Sequence, residues 1–360
     1  MSRQWILASQ EGFEASLQYQ ENVRIRSPAE LESHEVLVKI YAASLNYRDI
    51  SIADPKGVNG PILPPIIPGC DCAGIVMAVG SSVQEFQPGD RVITHPAPKL
   101  VEASGDNASA SLADTHSMLG QGADGTLRSI GVFSEKALVN APMSLDWLPA
   151  ATLSCTWSTA WNSLFGVESR KARPGMWVLV QGTGGVSIAT LQLAAAAGAT
   201  VVATTSTGEK EARLRALGAI HTVNYRSNPD SWGQKARSLT PDGRGFDLII
   251  DIGGNQTLSQ SLAAVRVDGV VVIVGAVGEN AAPVPLFAAF MHSCMVRGIL
   301  CGSRAQLKEL VRYIDEKGIQ PVVDDFEFEL ADARDAYRRL NDKKHFSKVI
   351  IRVDHPRKRQ

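Results

Sequence analysis

The 360-residue sequence has almost no excess charge: 36 Lys and Arg against 37 Asp and Glu leave a formal net charge of −1. Without a basic field there is nothing to draw in nucleic acid or an anionic lipid surface, so small-molecule chemistry is the expectation. Cysteine is scarce, with five residues at 70, 72, 155, 294 and 301. That odd, uneven set is neither a disulfide framework nor the paired spacing of a zinc ribbon, and it points to a reducing, cytoplasmic setting. Histidine gives no metal signal either, because His34, His95, His116, His221, His292, His345 and His355 form no HExxH or paired spacing. A secretory leader is not expected, since Glu11 and Glu14 arrive before any long apolar run, and Asn107-Ala-Ser and Asn255-Gln-Thr then read as chance glycosylation matches. The one long uncharged stretch, between Arg173 and Glu209, is interrupted by Gln181, Gly182, Gly184, Gly185, Ser187 and Gln192. It reads as strand, glycine turn, helix and strand buried in protein, and no membrane partner is expected.

What remains is an ordinary globular composition, 44% hydrophobic and 20% charged, on a chain long enough for two cores. The first part alternates short apolar runs with Gly and Pro, as in VLVKIYAASLN at 36–46, CAGIVMAVG and GDRVITH, which is the pattern of a β-rich domain. Residues 96–131 carry no clear period, and the stretch is either a functional lid, a lost sub-structure or a plain surface insertion. From residue 177 strands alternate with helices: WVLVQG, GVSIATLQLAAAAG, TVVATT, EKEARLRALG, and later FDLIIDIGG and GVVVIVGA. Parallel neighbours need crossovers, so this part predicts an α/β fold, a doubly wound parallel sheet. An amphipathic helix, a closing strand in HFSKVIIRV and the basic tail HPRKRQ end the chain.

The glycine turn carries the first chemical signal. Gly182, Gly184 and Gly185 follow a strand and open a helix, so Gly182 permits the turn and Gly184 allows backbone to approach a pyrophosphate at the helix N-terminus. Ser187 stands where Gly or Ala is usual. At the tip of the second strand, where an acid would accept an adenosine ribose 2′-OH, the sequence offers Thr205, Ser206 and Thr207, with Lys210 one turn later. No carboxylate repels a 2′-phosphate there, so NADPH is the expected cofactor.

Several segments together resemble the medium-chain dehydrogenase/reductase superfamily, in its alcohol dehydrogenase and zinc-independent quinone oxidoreductase branches. They are Gly69-Cys-Asp-Cys-Ala-Gly74 with Gly80 and PGDRV at 88–92, AATLSCTWSTAWNSLF at 150–165, LGAIHTVNYR at 217–226 and HFSKVII at 345–351. The resemblance implies a Rossmann domain at 157–298 flanked by a split, β-rich GroES-like catalytic domain at 1–156 and 299–360. It also implies a homodimer through the Rossmann sheets near MVRGIL, and cofactor contacts that extend to Thr159, Val186, Tyr225, Gly275 and Lys348. Where the zinc enzymes of the family place Cys, His and Cys, the matching positions here are Asn46, Cys70 and Cys155, and an amide is a poor zinc ligand. The four cysteines of a structural zinc are also missing from 96–131. Cys70, Asp71 and Cys155 stay open as a makeshift metal site, but in an extended strand Asp71 points away from Cys70 and Cys72, which argues against all three meeting one ion, and no metal is expected.

The segment Asn46-Tyr-Arg-Asp49 is similar to the NxxD segment of zinc-free quinone oxidoreductases. There Tyr47 would lie near the nicotinamide, as a proton donor or as a packed aromatic. Asp71 is a second candidate, as acid or orienter, and Cys155 a third, as nucleophile or small buried hydrophobe. Trp157 and Trp161, four apart on one helix, either pack in the core or line an apolar pocket. The expected function is hydride transfer to a conjugated alkene, quinone or carbonyl of a small molecule without zinc. Alcohol or aldehyde dehydrogenase-type carbonyl reduction and non-catalytic NADPH binding are the alternatives.

Overall fold

The computed structural model describes residues 1–54, 60–62, 64–276, 278 and 281–354; the basic tail at 355–360, with His355, lies outside them. In chain order the strands are β1 (Ser2–Leu7), β2 (Leu17–Val23), β3 (Glu35–Ser44), β4 (Asp71–Val79), β5 (Arg91–Thr94), β6 (Ile130–Ser134), β7 (Leu138–Asn140), β8 (Trp177–Val180), β9 (Thr200–Thr205), β10 (Ala219–Asn224), β11 (Phe246–Asp251), β12 (Val265–Ile273), β13 (Met295–Gly298), β14 (Glu327–Glu329) and β15 (Ile350–Arg352). The chain divides into two compact units, Met1–Ser158 with Gly302–Gln360, and Thr159–Cys301. No helix among the described residues is long and apolar enough to cross a membrane.

The first unit is built on a seven-stranded sheet in the order β14-β15-β3-β4-β5-β7, with β6 paired to β3. Its core gathers Val36, Val38, Ile40, Val76, Leu127, Tyr337 and Ile351. Two pairings place its polar side chains. Ser44 faces Asp71 across β3 and β4, and Ile350 faces Ser44 across β15 and β3, with Leu45 N–H bonded to Val349 O at 3.0 Å. Residues near positions 44, 71 and 348 are thereby fixed side by side by strand register.

Residues 96–131, aperiodic in sequence, are an integral part of this unit and not a loose insertion. They hold a helix (Pro98–Ser104), a 3₁₀ turn (Leu112–Ser117) and the buried Leu119, Gln121, Thr126 and Leu127. The segment packs backbone against backbone, so that a Cβ on Gly125 would lie 1.9 Å from Gly69 O. Its start is tied by a buried cation: Arg304, wholly inaccessible, reaches Asp106 at 2.8 Å, Glu85 at 2.8 Å and Leu138 O. Burial would raise the Glu85 carboxyl, but bonds from Arg304, Lys136 and Lys308 hold it down to about 2.

The second unit is a six-stranded sheet in the order β10-β9-β8-β11-β12-β13, parallel at every pairing. Strands β8 and β11 are buried on both faces because crossover helices cover the sheet, which explains their unbroken apolar runs. The order reverses between β8 and β11, so the strand ends open a crevice on the carboxyl side there. Edge strand β13 is exposed, and near it Leu286, Phe287, Phe290 and Met291 present apolar side chains to solvent.

Candidate active site

The carboxyl edge of the parallel sheet collects most of the residues expected to hold a dinucleotide. Gly182 follows β8, Ser206 follows β9, Tyr225 follows β10 and Gly275 lies two residues beyond β12, so the four share one edge by topology alone. Gly182 takes φ 74°, a left-handed backbone that explains the glycine, and donates to Thr204 O at 3.1 Å. Gly184 caps the helix Gly185–Ala196 with an ordinary φ of −78°. A Cβ there would meet nothing within 4 Å, so the space over the turn is open for a ligand, not filled by the protein. Val186 lies in the first turn of that helix. Ser187 fits despite its hydroxyl because it is buried and bonds the Gln181 carbonyl.

Sequence reasoning missed what holds this edge together. Asp251, fully buried at the end of β11, accepts from Gly253 N, Gly254 N and Thr257 Oγ1 on one oxygen, and from Gln181 Nε2 and Ser261 Oγ on the other. It links the turn after β11 to the residue before Gly182, at the point where strand order reverses. The signal available was an acid ending the apolar run FDLIID immediately before two glycines.

At the tip of β9, Thr205 is buried, Ser206 half-buried and Thr207 exposed, and Thr207 caps the helix Gly208–Ala216. Lys210 sits in its first turn between Glu209 and Glu211. Two expected cofactor residues depart from the edge. Thr159 is buried, with its hydroxyl 3.5 Å from Leu300 O. Lys348 belongs to the first unit, and its ammonium has three acceptors there, Leu45 O at 2.7 Å, Asn46 Oδ1 at 2.6 Å and Asp71 Oδ2 at 3.0 Å. An ammonium has three hydrogens, so Lys348 is fully committed within its own unit, and the expectation of a cofactor contact gives way.

Lys348 thereby defines a buried polar cluster in the first unit. Asn46, at the N-terminus of the helix Tyr47–Ala53, gives its oxygen to Lys348 and turns its amide nitrogen toward Cys70 Sγ at 3.6 Å. Asp71 Oδ2 takes Lys348 and lies 3.1 Å from Ser44 Oγ, while Cys70 Sγ lies 3.3 Å from Oδ1. Thr94 Oγ1 donates to Cys70 O at 2.6 Å and sits 3.2 Å from Ser154 Oγ, which pins the segment carrying Cys155 beside Cys70. Tyr47 stands 47% exposed next to this cluster in sequence, whereas Asn46 and Asp71 are buried. Trp157 and Trp161 are both buried.

Asp49 and Cys70 carry perturbed acidity. Burial pushes Asp49 up to about 6, against the pull of the Arg48 guanidinium and the Asn46 N–H. The Cys70 thiol is held well above its ordinary value by its hydrogen bond with Cys155, by burial and by Asp71.

The expectation that Cys70, Asp71 and Cys155 diverge is not met. Strand β4 begins at Asp71, so Cys70 lies just outside the alternation that would have opposed them, and the three potential ligand atoms fall within 4.8 Å of one another. Their chemistry nevertheless fits zinc poorly. A catalytic zinc wants three thiolate, imidazole or carboxylate ligands free to face it, with a fourth position left open. Here Asp71 Oδ1 lies against Cys70 Sγ, Oδ2 against Lys348 and Ser44, and the Asn46 oxygen already serves Lys348. The ammonium of Lys348, 3.0 Å from Asp71, supplies the positive charge that the carboxylate requires.

Comparisons with known proteins agree with this architecture. Residues 32–147 match the family model described as alcohol dehydrogenase GroES-like domain, and residues 185–316 the one described as zinc-binding dehydrogenase. A zinc-type alcohol dehydrogenase-like protein of Schizosaccharomyces pombe is 38% identical over 332 residues, 91% of this chain and 93% of its own. The quinone oxidoreductase of Rattus norvegicus is 32% identical over 264 residues, 73% of this chain and 70% of its own. Among solved structures, a putative alcohol dehydrogenase from Sinorhizobium meliloti 1021 superposes with a TM-score of 0.86 at 34% identity, covering 98% of each chain.

Proposed function

The chain belongs to the medium-chain dehydrogenase/reductase superfamily and is an oxidoreductase of that family; we propose that it uses NADPH to deliver a hydride to a conjugated alkene, quinone or carbonyl of a small molecule, without catalytic zinc. The observation that carries this reading is the Lys348–Asp71 pair, 3.0 Å apart and almost wholly buried. It occupies the carboxylate that a metal would need.

Without a Lewis acid, the negative charge that develops on the substrate must be met by hydrogen bonds and by delocalisation within the substrate itself. Enones, enoyl groups and quinones delocalise it, which ranks them above simple aldehydes. Tyr47, the exposed member of the Asn46 segment, supplies the proton in this account, since a phenol donates well to an enolate as charge builds. Asn46 and Asp71 act behind it as orienting groups, buried and bound to Lys348. Gly182, Gly184, Gly185 and Val186 cradle the pyrophosphate, Ser206 and Lys210 receive the 2′-phosphate, and Tyr225 covers it. The quinone oxidoreductase relative supports this substrate class, and the alcohol dehydrogenase-like relatives keep carbonyl reduction as the second reading.

The same reading includes a homodimer joined through β13. Its unpaired edge, flanked by exposed Leu286, Phe287, Phe290, Met291 and Met295, would otherwise invite aggregation. Light scattering should report twice the chain mass at micromolar concentration, and a monomer would refute that part. The test of activity is NADPH oxidation across a panel of enones, quinones, aldehydes and ketones. Turnover with the first two classes is expected. Stoichiometric NADPH binding with no turnover on any of them would make the protein a non-catalytic binder.

A further inference from the structure

The polar cluster contains a group that the hydride reaction leaves unused. Cys70 and Cys155 share a hydrogen bond, with their sulfurs inside a 4.8 Å cluster. Their accessibility differs: Cys70 is buried, while Cys155 is only half-buried and can be reached from solvent. Neither lies within a strand ladder. Cys70 precedes β4 and Cys155 sits in the irregular helical turn Leu153–Trp157, so the sulfurs can close on each other without breaking sheet pairing.

Beside both sulfurs lies Arg48. Its Nη1 is fixed on Leu119 O at 2.9 Å, and its charge acts on Cys70, Asp49 and Cys155. A guanidinium stabilises the negative charge that develops at sulfur and oxygen as a thiol attacks a peroxide. Cys72, by contrast, bonds Thr94 through its backbone N–H and stands outside the cluster of Cys70, Asp71 and Cys155.

We propose that Cys155 and Cys70 form a peroxide-reactive dithiol, with Cys155 the attacking thiol, Cys70 the resolving one and Arg48 the activating cation. The Cys155 sulfur attacks one peroxide oxygen, so that an S–O bond forms, the O–O bond breaks and water or an alcohol leaves. The Cys70 sulfur then attacks the resulting sulfenic acid, the S–S bond forms and a second water departs. The two thiols lose two electrons and two hydrogens to the peroxide. The disulfide draws Cys70 away from Asn46 and Asp71 and so reversibly disables the cluster on which the proposed reduction depends. The inference rests on the zinc-free part of that reading, because a metal held by both sulfurs would block it.

The test is treatment of the reduced full-length protein with hydrogen peroxide, followed by thiol alkylation and peptide mapping by mass spectrometry. The expected product is a Cys70–Cys155 linked peptide pair, two hydrogens lighter than its reduced parts and abolished by dithiothreitol, with Cys72 still alkylated. Cys155→Ser should prevent the linkage, Cys70→Ser should leave a sulfenic acid at Cys155 that dimedone traps, and Arg48→Gln should slow the oxidation several-fold. Cys155 remaining fully alkylated after peroxide, first oxidation at Cys294 or Cys301, or zinc that must be stripped before the sulfurs react would each overturn the proposal. The mass readout needs no turnover. A disulfide formed by a protein inactive on every substrate would therefore sink the reductase reading and leave the dithiol standing.

Discussion

The two units solve the problem of holding polar chemistry in opposite ways. At the carboxyl edge of the parallel sheet the working parts are backbone: a left-handed glycine, a helix N-terminus and open space above Gly184. In the first unit they are side chains: Asn46, Cys70, Asp71 and Lys348, buried and mutually paired, with the half-buried Cys155 beside them. The first arrangement tolerates changes that spare the turn. The second fails if one partner is removed, because the remaining charge has no water to turn to.

The largest effect should come from breaking that pairing. Lys348→Met strands Asp71 without its cation and should lower stability by about 3–5 kcal/mol, as read by denaturant unfolding. Asp71→Asn combined with Lys348→Met should recover much of the loss, since no charge is then left alone. A single mutant as stable as wild type would mean the pair is only incidental.

A second effect, on the order of 3 kcal/mol, concerns pH in the same unit. His95 is buried, with Nε2 3.2 Å from Gly302 O and Nδ1 accepting from Ala97 N–H at 3.4 Å, and burial pushes its pKa down to about 4. In the unfolded chain it binds a proton below its ordinary 6.5. Stability from His95 is therefore complete above pH 6.5 and is lost progressively as pH falls toward 4. Asp49, raised to about 6, acts in the opposite sense over part of this window, so the comparison must be with His95→Gln. That variant keeps both bonds without titrating, and its stability curve should be flatter there. Identical slopes would exclude His95 as the cause.

In the second unit the corresponding break is in binding and not in folding. Gly184→Ala adds a methyl where the protein has no atom within 4 Å, so stability should change by less than about 1 kcal/mol. Dinucleotide affinity should still fall about tenfold or more, because the methyl takes the space of the pyrophosphate. Unchanged affinity would remove Gly184 from the site. The smallest effect is Lys210→Ala, which should weaken NADPH several-fold, about 1 kcal/mol, and leave NADH nearly unaffected. Glu209 and Glu211 beside Lys210 limit its field. Equal losses for both cofactors would assign Lys210 to its helix.

The same contrast explains what could be read from the sequence. The shared edge of Gly182, Gly184 and Ser206 was legible because each follows a strand, and parallel topology brings strand ends together wherever they fall in the chain, whereas Tyr225 entered only through the family resemblance. The partners of Lys348 were not, because they lie about 300 residues earlier and the pairings of β15 with β3 and of β3 with β4 join them. The convergence of Cys70 with Asp71 escapes the strand pattern for a one-residue reason: alternation holds inside a strand, and β4 starts one residue too late. Residues 96–131 gave no period because their packing is backbone on backbone, with Gly125 against Gly69, and such contacts leave no hydrophobic pattern.

The central claim is that a buried ammonium, not a metal, balances the first unit's carboxylate. Elemental analysis of the purified protein, paired with an NADPH-dependent enone or quinone assay before and after chelation, tests it most directly. The account predicts far less than one zinc per chain and undiminished turnover after chelation. A full equivalent of zinc whose removal abolishes turnover would contradict it and assign the site to the alcohol dehydrogenase mode of catalysis.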